Sequence, residues 1–224
     1  MRLAQRPGVC VVYIVLGLGF GFTGAPNIAG QSSPPSPHDA PERWLLAFVD
    51  VETTGLLPGY HEMIDIGIIL TDVDGIELDR LFVRIQPDHP ERTSDGARAV
   101  NAFDETRWRE LGALSPAEAV AEIVEFHHRR HEGRAVLLVA FNSHFDAAFI
   151  DHLFKANAAS WRELYHYFIL DLPSMAWSRG LRQLDGSALA EALGVDDEPR
   201  VADQHTGITG AELNVRIYRA LQKD

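Results

Sequence analysis

Trp44-Leu-Leu-Ala-Phe-Val-Asp50-Val-Glu52-Thr-Thr-Gly55 decides the architecture. Its first half is a short unbroken apolar run, the pattern of a strand buried on both faces. Such a strand belongs inside a sheet covered by helices. Two carboxylates, two positions apart, follow directly. Side chains on a strand repeat every two residues, so Asp50 and Glu52 project from one face. Like charges there repel and are costly to desolvate. Either the pair is solvated at the strand's end, or a hard divalent cation such as magnesium or manganese relieves both costs. The apolar strand and the Thr-Thr-Gly turn that flank the pair favour the metal site.

Residues 63–71 read as a second strand, and Asp74-Gly75 is a hairpin signal before a third over 76–85. Ser115-Pro116-Ala117-Glu118 is a capping box, and Val120, Ile123, Val124 and His127 mark one face of the helix it opens. A buried strand over 135–141 leads into a helix with Phe145, Phe149, Ile150, Leu153 and Phe154 at helical spacing. A last strand over 167–172 and helices near 188–193 and 209–221 complete the chain. Hairpin-joined strands followed by strands alternating with helices predict an α/β domain, a mixed five-stranded sheet flanked by helices. Ligands of such sheets gather at the carboxyl ends of strands.

The chain has 224 residues, 46% hydrophobic and 23% charged, which excludes general disorder and a collagen-like chain. Lys and Arg number 20 against 32 Asp and Glu, a net charge of −12. That balance speaks against a broad basic coating for nucleic acid, so any work on a polyanion must happen at a local site with metal cations as mediators. Cys10 is the only cysteine, which excludes a disulfide framework and a cysteine-based zinc site. Arg2 and Arg6 precede an apolar run from Val9 to Phe22 and then small residues, the order of an export signal over residues 1–30. An uncleaved membrane anchor is the alternative, and a misassigned start would leave the protein cytoplasmic. Residues 31–41 read as an extended Pro- and Ser-rich linker, with the folded domain over 42–224.

Two more clusters bear chemistry. Asp146 stands in the first turn of a helix that follows a buried strand, where it complements the helix dipole or faces Asp50 across the sheet. Asn142 shapes the corner before it, as a turn or capping residue. His205, in a loop before the last helix, reads as a surface histidine or a general base. His127-His-Arg-Arg-His131 is a solvated, cationic helix end, or a hold on a phosphate backbone. Phe103, Phe149, Phe154 and Trp161 suit helix core better than base stacking.

Asp50-Val-Glu52-Thr53-Thr54-Gly55, Asn142-x-x-Phe145-Asp146 and His205, in this order and at these intervals, resemble the three motifs of the DEDDh exonucleases. That family includes ribonuclease T, oligoribonuclease and the proofreading subunit of DNA polymerase III. Similarity continues through Glu62-Met-Ile-Asp-Ile-Gly67, Ala99-Val-Asn101-Ala-Phe103 and the stretch from Leu184 to Val195. The resemblance implies a ribonuclease H-like fold and a two-metal 3′→5′ exonuclease. Such an enzyme hydrolyses single-stranded or short DNA or RNA from its 3′ end and releases nucleoside 5′-monophosphates. It implies that Asp50 bridges two divalent ions, Mg²⁺ or Mn²⁺, that Glu52 holds the nucleophile-side ion, and that Asp146 supports the second. His205 then deprotonates the attacking water, and Thr53 and Thr54 fall where the terminal nucleotide is contacted. Bound cations also reconcile an acidic protein with a nucleic-acid substrate.

The chain departs from the family pattern at Gly210, where an aspartate is expected five residues after the histidine. Glu212 stands two residues further along a helix, about 200° round, and is expected to point away. Asp203 reaches the site only if its loop folds back. The implied enzyme is impaired in metal binding, or the fold serves as a catalytically degenerate nucleic-acid or protein-binding module. Hydrolysis of small nucleotides or dinucleotides is a third reading.

Overall fold

The computed structural model describes residues 34–223. The export signal or anchor predicted over 1–30 lies outside them, as does the start of the linker. Among the described residues, no helix is long and apolar enough to cross a membrane. In chain order the strands and helices are β1 (Trp44–Thr53), β2 (Met63–Thr71), β3 (Glu77–Arg84), α1 (Asp95–Asn101), α2 (Glu105–Glu110) and α3 (Pro116–His131). Then come β4 (Ala135–Ala140), α4 (Ser143–Ala156), β5 (Ile169–Asp171), α5 (Leu172–Ser178), α6 (Gly186–Leu193) and α7 (Gly207–Leu221).

The sheet has the order β3-β2-β1-β4-β5. β1 pairs antiparallel with β2, and β2 with β3, while β1–β4 and β4–β5 are parallel. This is the mixed five-stranded sheet expected from the pattern. β1 lies at its centre, and alternation along it divides the core in two. Leu45, Ala47, Val49 and Val51 pack with Phe126 of α3 and with Phe149 and Phe154 of α4. Trp44, Leu46 and Phe48 pack on the other face with Leu172 of α5, Leu189 of α6 and Ile217 of α7. Burying a side chain of the Leu or Phe type contributes about 1.5–3 kcal/mol, so losing either layer would unfold the domain.

A glycine pair sets how closely α7 approaches the sheet. A Cβ at Gly67 on β2 would lie 2.3 Å from the Gly207 carbonyl, and one at Gly207 would lie 2.5 Å from the Asp50 carbonyl oxygen. Only hydrogens at both positions let the first turn of α7 rest on β1 and β2 beside the carboxylates.

Three findings depart from expectation. The described end of the linker is not extended: the Asp39 N–H donates to the Ser36 carbonyl, and the Trp44 indole donates to Pro35 O at 2.7 Å. His127 is 1% exposed, with Nε2 2.8 Å from the Tyr165 hydroxyl, so the solvated cationic end of α3 begins only at His128. Burial pushes the His127 imidazole down to about 3. Helices α1, α2 and α5 were not foreseen; each is short and begins at a capping side chain, Ser94, Asp104 and Asp171 respectively. Phe103, Phe149, Phe154 and Trp161 are all buried and belong to the core, which removes them as base-stacking surfaces.

Candidate active site

β1 outruns β4. Their pairing ends at Phe48 opposite Val139, whereas β1 continues to Thr53. The freed Val51 N–H donates to Asp146 Oδ1 at 3.2 Å. Asp146 is thereby fixed against β1 from the first turn of α4, 2% exposed. The corner before it is Asn142, in the left-handed region (φ 65°, ψ 48°) that asparagine tolerates, with no capping hydrogen bond from its side chain. Asp171, at the end of β5, accepts the Ser143 N–H at 3.0 Å and pins the start of α4.

Asp50 and Glu52 continue the β1 face that carries Trp44, Leu46 and Phe48, beneath α7. Burial holds the Asp50 carboxyl well above the ordinary carboxylate range, helped by the charges of Asp146, Glu52 and Glu198. Burial likewise raises Asp146, with Glu52 and Asp171 adding repulsion. Glu52 is held at both oxygens: Oε1 lies 3.1 Å from His205 Nε2, and Oε2 accepts from Asn101 Nδ2 at 3.1 Å. The same Asn101 amide donates to the Thr53 carbonyl at 3.0 Å.

His205 is therefore folded in against Glu52 and is not a residue of the open surface. Its Nδ1 faces Glu198 Oε2 and the Pro199 carbonyl, each at 3.3 Å. Glu198 first and Glu52 second push the imidazole up to about 11, so it is a cation at neutral pH. Neither Glu198 nor the role of Asn101 was foreseen. Asn101 lies in a stretch whose family likeness was visible, whereas Glu198 carries no local motif and comes into view only through folding.

At Gly210 the helix leaves its space to Asp50. A Cβ there would lie 2.3 Å from Asp50 Oδ2. Glu212 points outward to Arg80 and does not replace the missing carboxylate. Asp203 is exposed, and its carbonyl accepts from Arg107. Across the ladder from Glu52 stands Asp65, fully buried, whose Oδ1 accepts the Gly207 N–H at 2.8 Å. Its Oδ2 has no hydrogen-bond partner among the described residues. Burial, then the charge of Glu52, pushes Asp65 up to about 8.

The donor set fits hard divalent cations: carboxylates on Asp50, Glu52 and Asp146 crowd one end of the sheet, two of them strained toward protonation by burial and mutual repulsion. As the side chains stand, no group of three or more His, Cys, Asp or Glu is placed to hold a metal ion among the described residues. Glu52 is instead neutralised by His205.

A cleft of about 340 Å³ opens beside Glu52, walled by Thr53, Leu56, Val100, Asn101 and Phe145. Leu56 is 77% exposed at its mouth. Thr53 lines this cleft, its hydroxyl donating to the Gly55 carbonyl at 2.7 Å. Thr54 is enclosed. Its hydroxyl accepts the Glu62 N–H, its N–H donates to the Glu62 carbonyl, and its carbonyl accepts the Ser94 N–H.

A family model described as Exonuclease (RNase_T) matches residues 47–218. No curated protein matches the chain. Among solved structures, exonuclease I of Methylocaldum szegediense is 18% identical with a TM-score of 0.67, covering 80% of this chain and 40% of that one. E. coli exonuclease I in complex with a dT13 oligonucleotide is 14% identical with a TM-score of 0.66, covering 80% and 41%. The nuclease domain of 3'hExo, a DEDDh family member bound to rAMP, is 18% identical with a TM-score of 0.65, covering 80% and 92%. The chain thus spans about two fifths of the exonuclease I chains and nearly the whole 3'hExo domain. It belongs to the exonuclease family, and its domain has the ribonuclease H-like fold of the DEDDh exonucleases.

Proposed function

We propose that this domain is a metal-dependent 3′→5′ exonuclease acting on single-stranded or short DNA or RNA. The observation that carries the reading is the convergence of Asp50 and Glu52 from β1, Asp146 from α4 and His205 from the loop before α7. The 3′→5′ direction and the release of nucleoside 5′-monophosphates rest on the motif resemblance. E. coli exonuclease I with its dT13 oligonucleotide and 3'hExo with rAMP support a nucleic-acid terminus as the ligand.

Asp50, Glu52 and Asp146 would hold two divalent cations, Mg²⁺ or Mn²⁺, which when bound supply Lewis-acid polarisation of the phosphodiester and positive charge against its developing negative charge. The chain's own residues do the rest. Asn101 fixes Glu52 by its second oxygen. His205 accepts the proton of the attacking water at Nε2, the nitrogen that faces Glu52. That nitrogen is protonated while Glu52 pairs with it, so engaging the charge of Glu52 elsewhere removes one of the two carboxylates that keep His205 a cation. Leu56, Val100 and Phe145 offer the terminal base an apolar wall, and Thr53 lies at the junction of wall and carboxylates.

A 5′-labelled oligonucleotide, as DNA and as RNA, incubated with the protein and Mn²⁺ tests this reading. A ladder shortening from the 3′ end, abolished in Asp50→Asn, is the expected result. No product from either polymer would end it. Gly210 favours one second reading, a binding module that keeps the fold without turnover. It predicts oligonucleotide retention by a protein that yields no product.

A further inference from the structure

We propose that Glu198 is the residue that positions His205 for proton transfer. The inference rests on the exonuclease reading above and adds a residue that none of the three sequence motifs contains.

Glu198 belongs to the segment between α6 and α7, and its side chain is 7% exposed. A glutamate is rarely buried so far without partners. Its partners are Arg200 Nη1, 3.1 Å from Oε1, the Thr209 hydroxyl, 3.3 Å from Oε2, and His205 Nδ1, also 3.3 Å from Oε2. Arg200 is held in turn by both oxygens of Asp197, at 2.9 and 3.1 Å. Thr209 sits in the first turn of α7, whose start is fixed by the Gly67–Gly207 contact. Glu198 is thus braced at Oε1 by Arg200 and presents Oε2 to the imidazole, beside a Thr209 hydroxyl whose shorter bond, 2.8 Å, goes to the Thr206 carbonyl.

The geometry also decides which ring nitrogen carries hydrogen. Nδ1 faces the Pro199 carbonyl as well as Glu198, and a carbonyl oxygen only accepts. Nδ1 therefore keeps its proton, and Nε2 is the nitrogen left to exchange one with the cleft. An orienting acceptor behind a functional imidazole sets tautomer and ring angle in this way. Without Glu198 the only acceptor left at Nδ1 is the Pro199 carbonyl, and once the charge of Glu52 is engaged elsewhere that single bond must hold the angle of the ring.

The competing role for Glu198 is purely structural: an ion pair that ties Arg200 into the loop. The two roles separate in a set of variants assayed on an oligonucleotide with Mn²⁺, with wild type and Asp50→Asn alongside. Glu198→Ala is expected to lower kcat by about 10–100-fold, the range for loss of a group that orients a functional histidine, with KM almost unchanged. Glu198→Asp keeps the charge opposite Arg200 but withdraws it from Nδ1, and is expected to lose kcat as well; it also serves if the alanine variant does not fold. Arg200→Ala is expected to cost less than either. The ring signals of His205 in the metal-free protein, assigned against His205→Ala, give a readout independent of turnover. The Nδ1–H signal should be protected from solvent exchange in wild type and exchange faster in Glu198→Ala and Glu198→Asp, where the Pro199 carbonyl is its one remaining acceptor. Full kcat in Glu198→Asp, an Arg200→Ala loss equal to that of Glu198→Ala, or an Nδ1–H signal indifferent to residue 198 would each overturn the proposal. If wild type yields no product, the exonuclease reading fails by itself, and the ring spectra still decide the Glu198 contact.

Discussion

Gly210 and Asp50 share one space. The carboxylate of Asp50 lies where a side chain at 210 would begin, with Oδ2 only 2.3 Å from the position of a Cβ. The residue that departs from the family pattern therefore also sets the posture of the residue at the centre of the site.

Gly210→Ala follows directly from that contact. A methyl group must push the Asp50 carboxyl aside, and displacing a ligand's support costs about 10–100-fold in metal affinity or activity. Calorimetric titration with Mn²⁺ and the oligonucleotide assay should both register the loss. Gly210→Asp meets the same obstruction before its own carboxylate contributes. The alanine variant is thus its proper control, and only an excess of Gly210→Asp over Gly210→Ala measures the restored acid.

Asp50→Asn and Asp146→Asn should abolish turnover yet stabilise the metal-free protein. Each removes a buried carboxyl whose ionised form is disfavoured by burial and repelled by its neighbours. Relief of about 1 kcal/mol corresponds to about 2–4 °C in Tm for a domain of this size, readable by calorimetry in EDTA. A drop in Tm would show that the native hydrogen bonds of these groups outweigh their repulsion.

Stability of the metal-free protein should fall as pH rises from about 6.5 to about 8. Asp65, raised to about 8, binds more protons folded than unfolded, so its favourable contribution fades as pH climbs through this window. His205, raised to about 11, has the same sign: its contribution is complete below the ordinary histidine value and disappears as pH passes about 11. His127, depressed to about 3, opposes them only below the ordinary histidine value, where the unfolded chain takes up its proton. Urea denaturation at the two ends of the window tests the sign, and Asp65→Asn should flatten the slope.

Asn101→Ala should weaken the fold and the site together. The amide holds Glu52 and the Thr53 carbonyl, while its oxygen accepts the Phe103 N–H at 3.1 Å. Leaving such buried groups unpaired costs about 1–3 kcal/mol, measurable in urea. Turnover should fall beyond what the stability loss explains, because Glu52 is then held at Oε1 alone, through His205.

What the sequence made legible follows the range over which its signals act. Strand β2 and the capping box at Ser115 stand where the pattern placed them, because burial periodicity and capping are local. β1 runs four residues further than its apolar core, through Asp50 and Glu52, because pairing with β2 continues where hydrophobicity stops. α1, α2 and α5 have seven, six and seven residues, too few turns for a helical period to register. Asp50, Glu52, Asp146 and His205 could be picked out because motif likeness joined them. The environment of His205 could not, since Glu198 and Glu52 reach it only after α7 docks through two glycines.

The grip on both oxygens of Glu52, by Asn101 on one side and His205 on the other, carries a thermodynamic corollary. A bare polyanion approaching the buried carboxylates of this site meets repulsion, and a lone dication must first break an internal ion pair. On the proposed reading each visitor should ease entry for the other, and by linkage the oligonucleotide should tighten the ion by the same factor that the ion tightens the oligonucleotide. The domain should therefore ignore nucleic acid in chelator and capture it steeply, rather than gradually, as magnesium or manganese is restored.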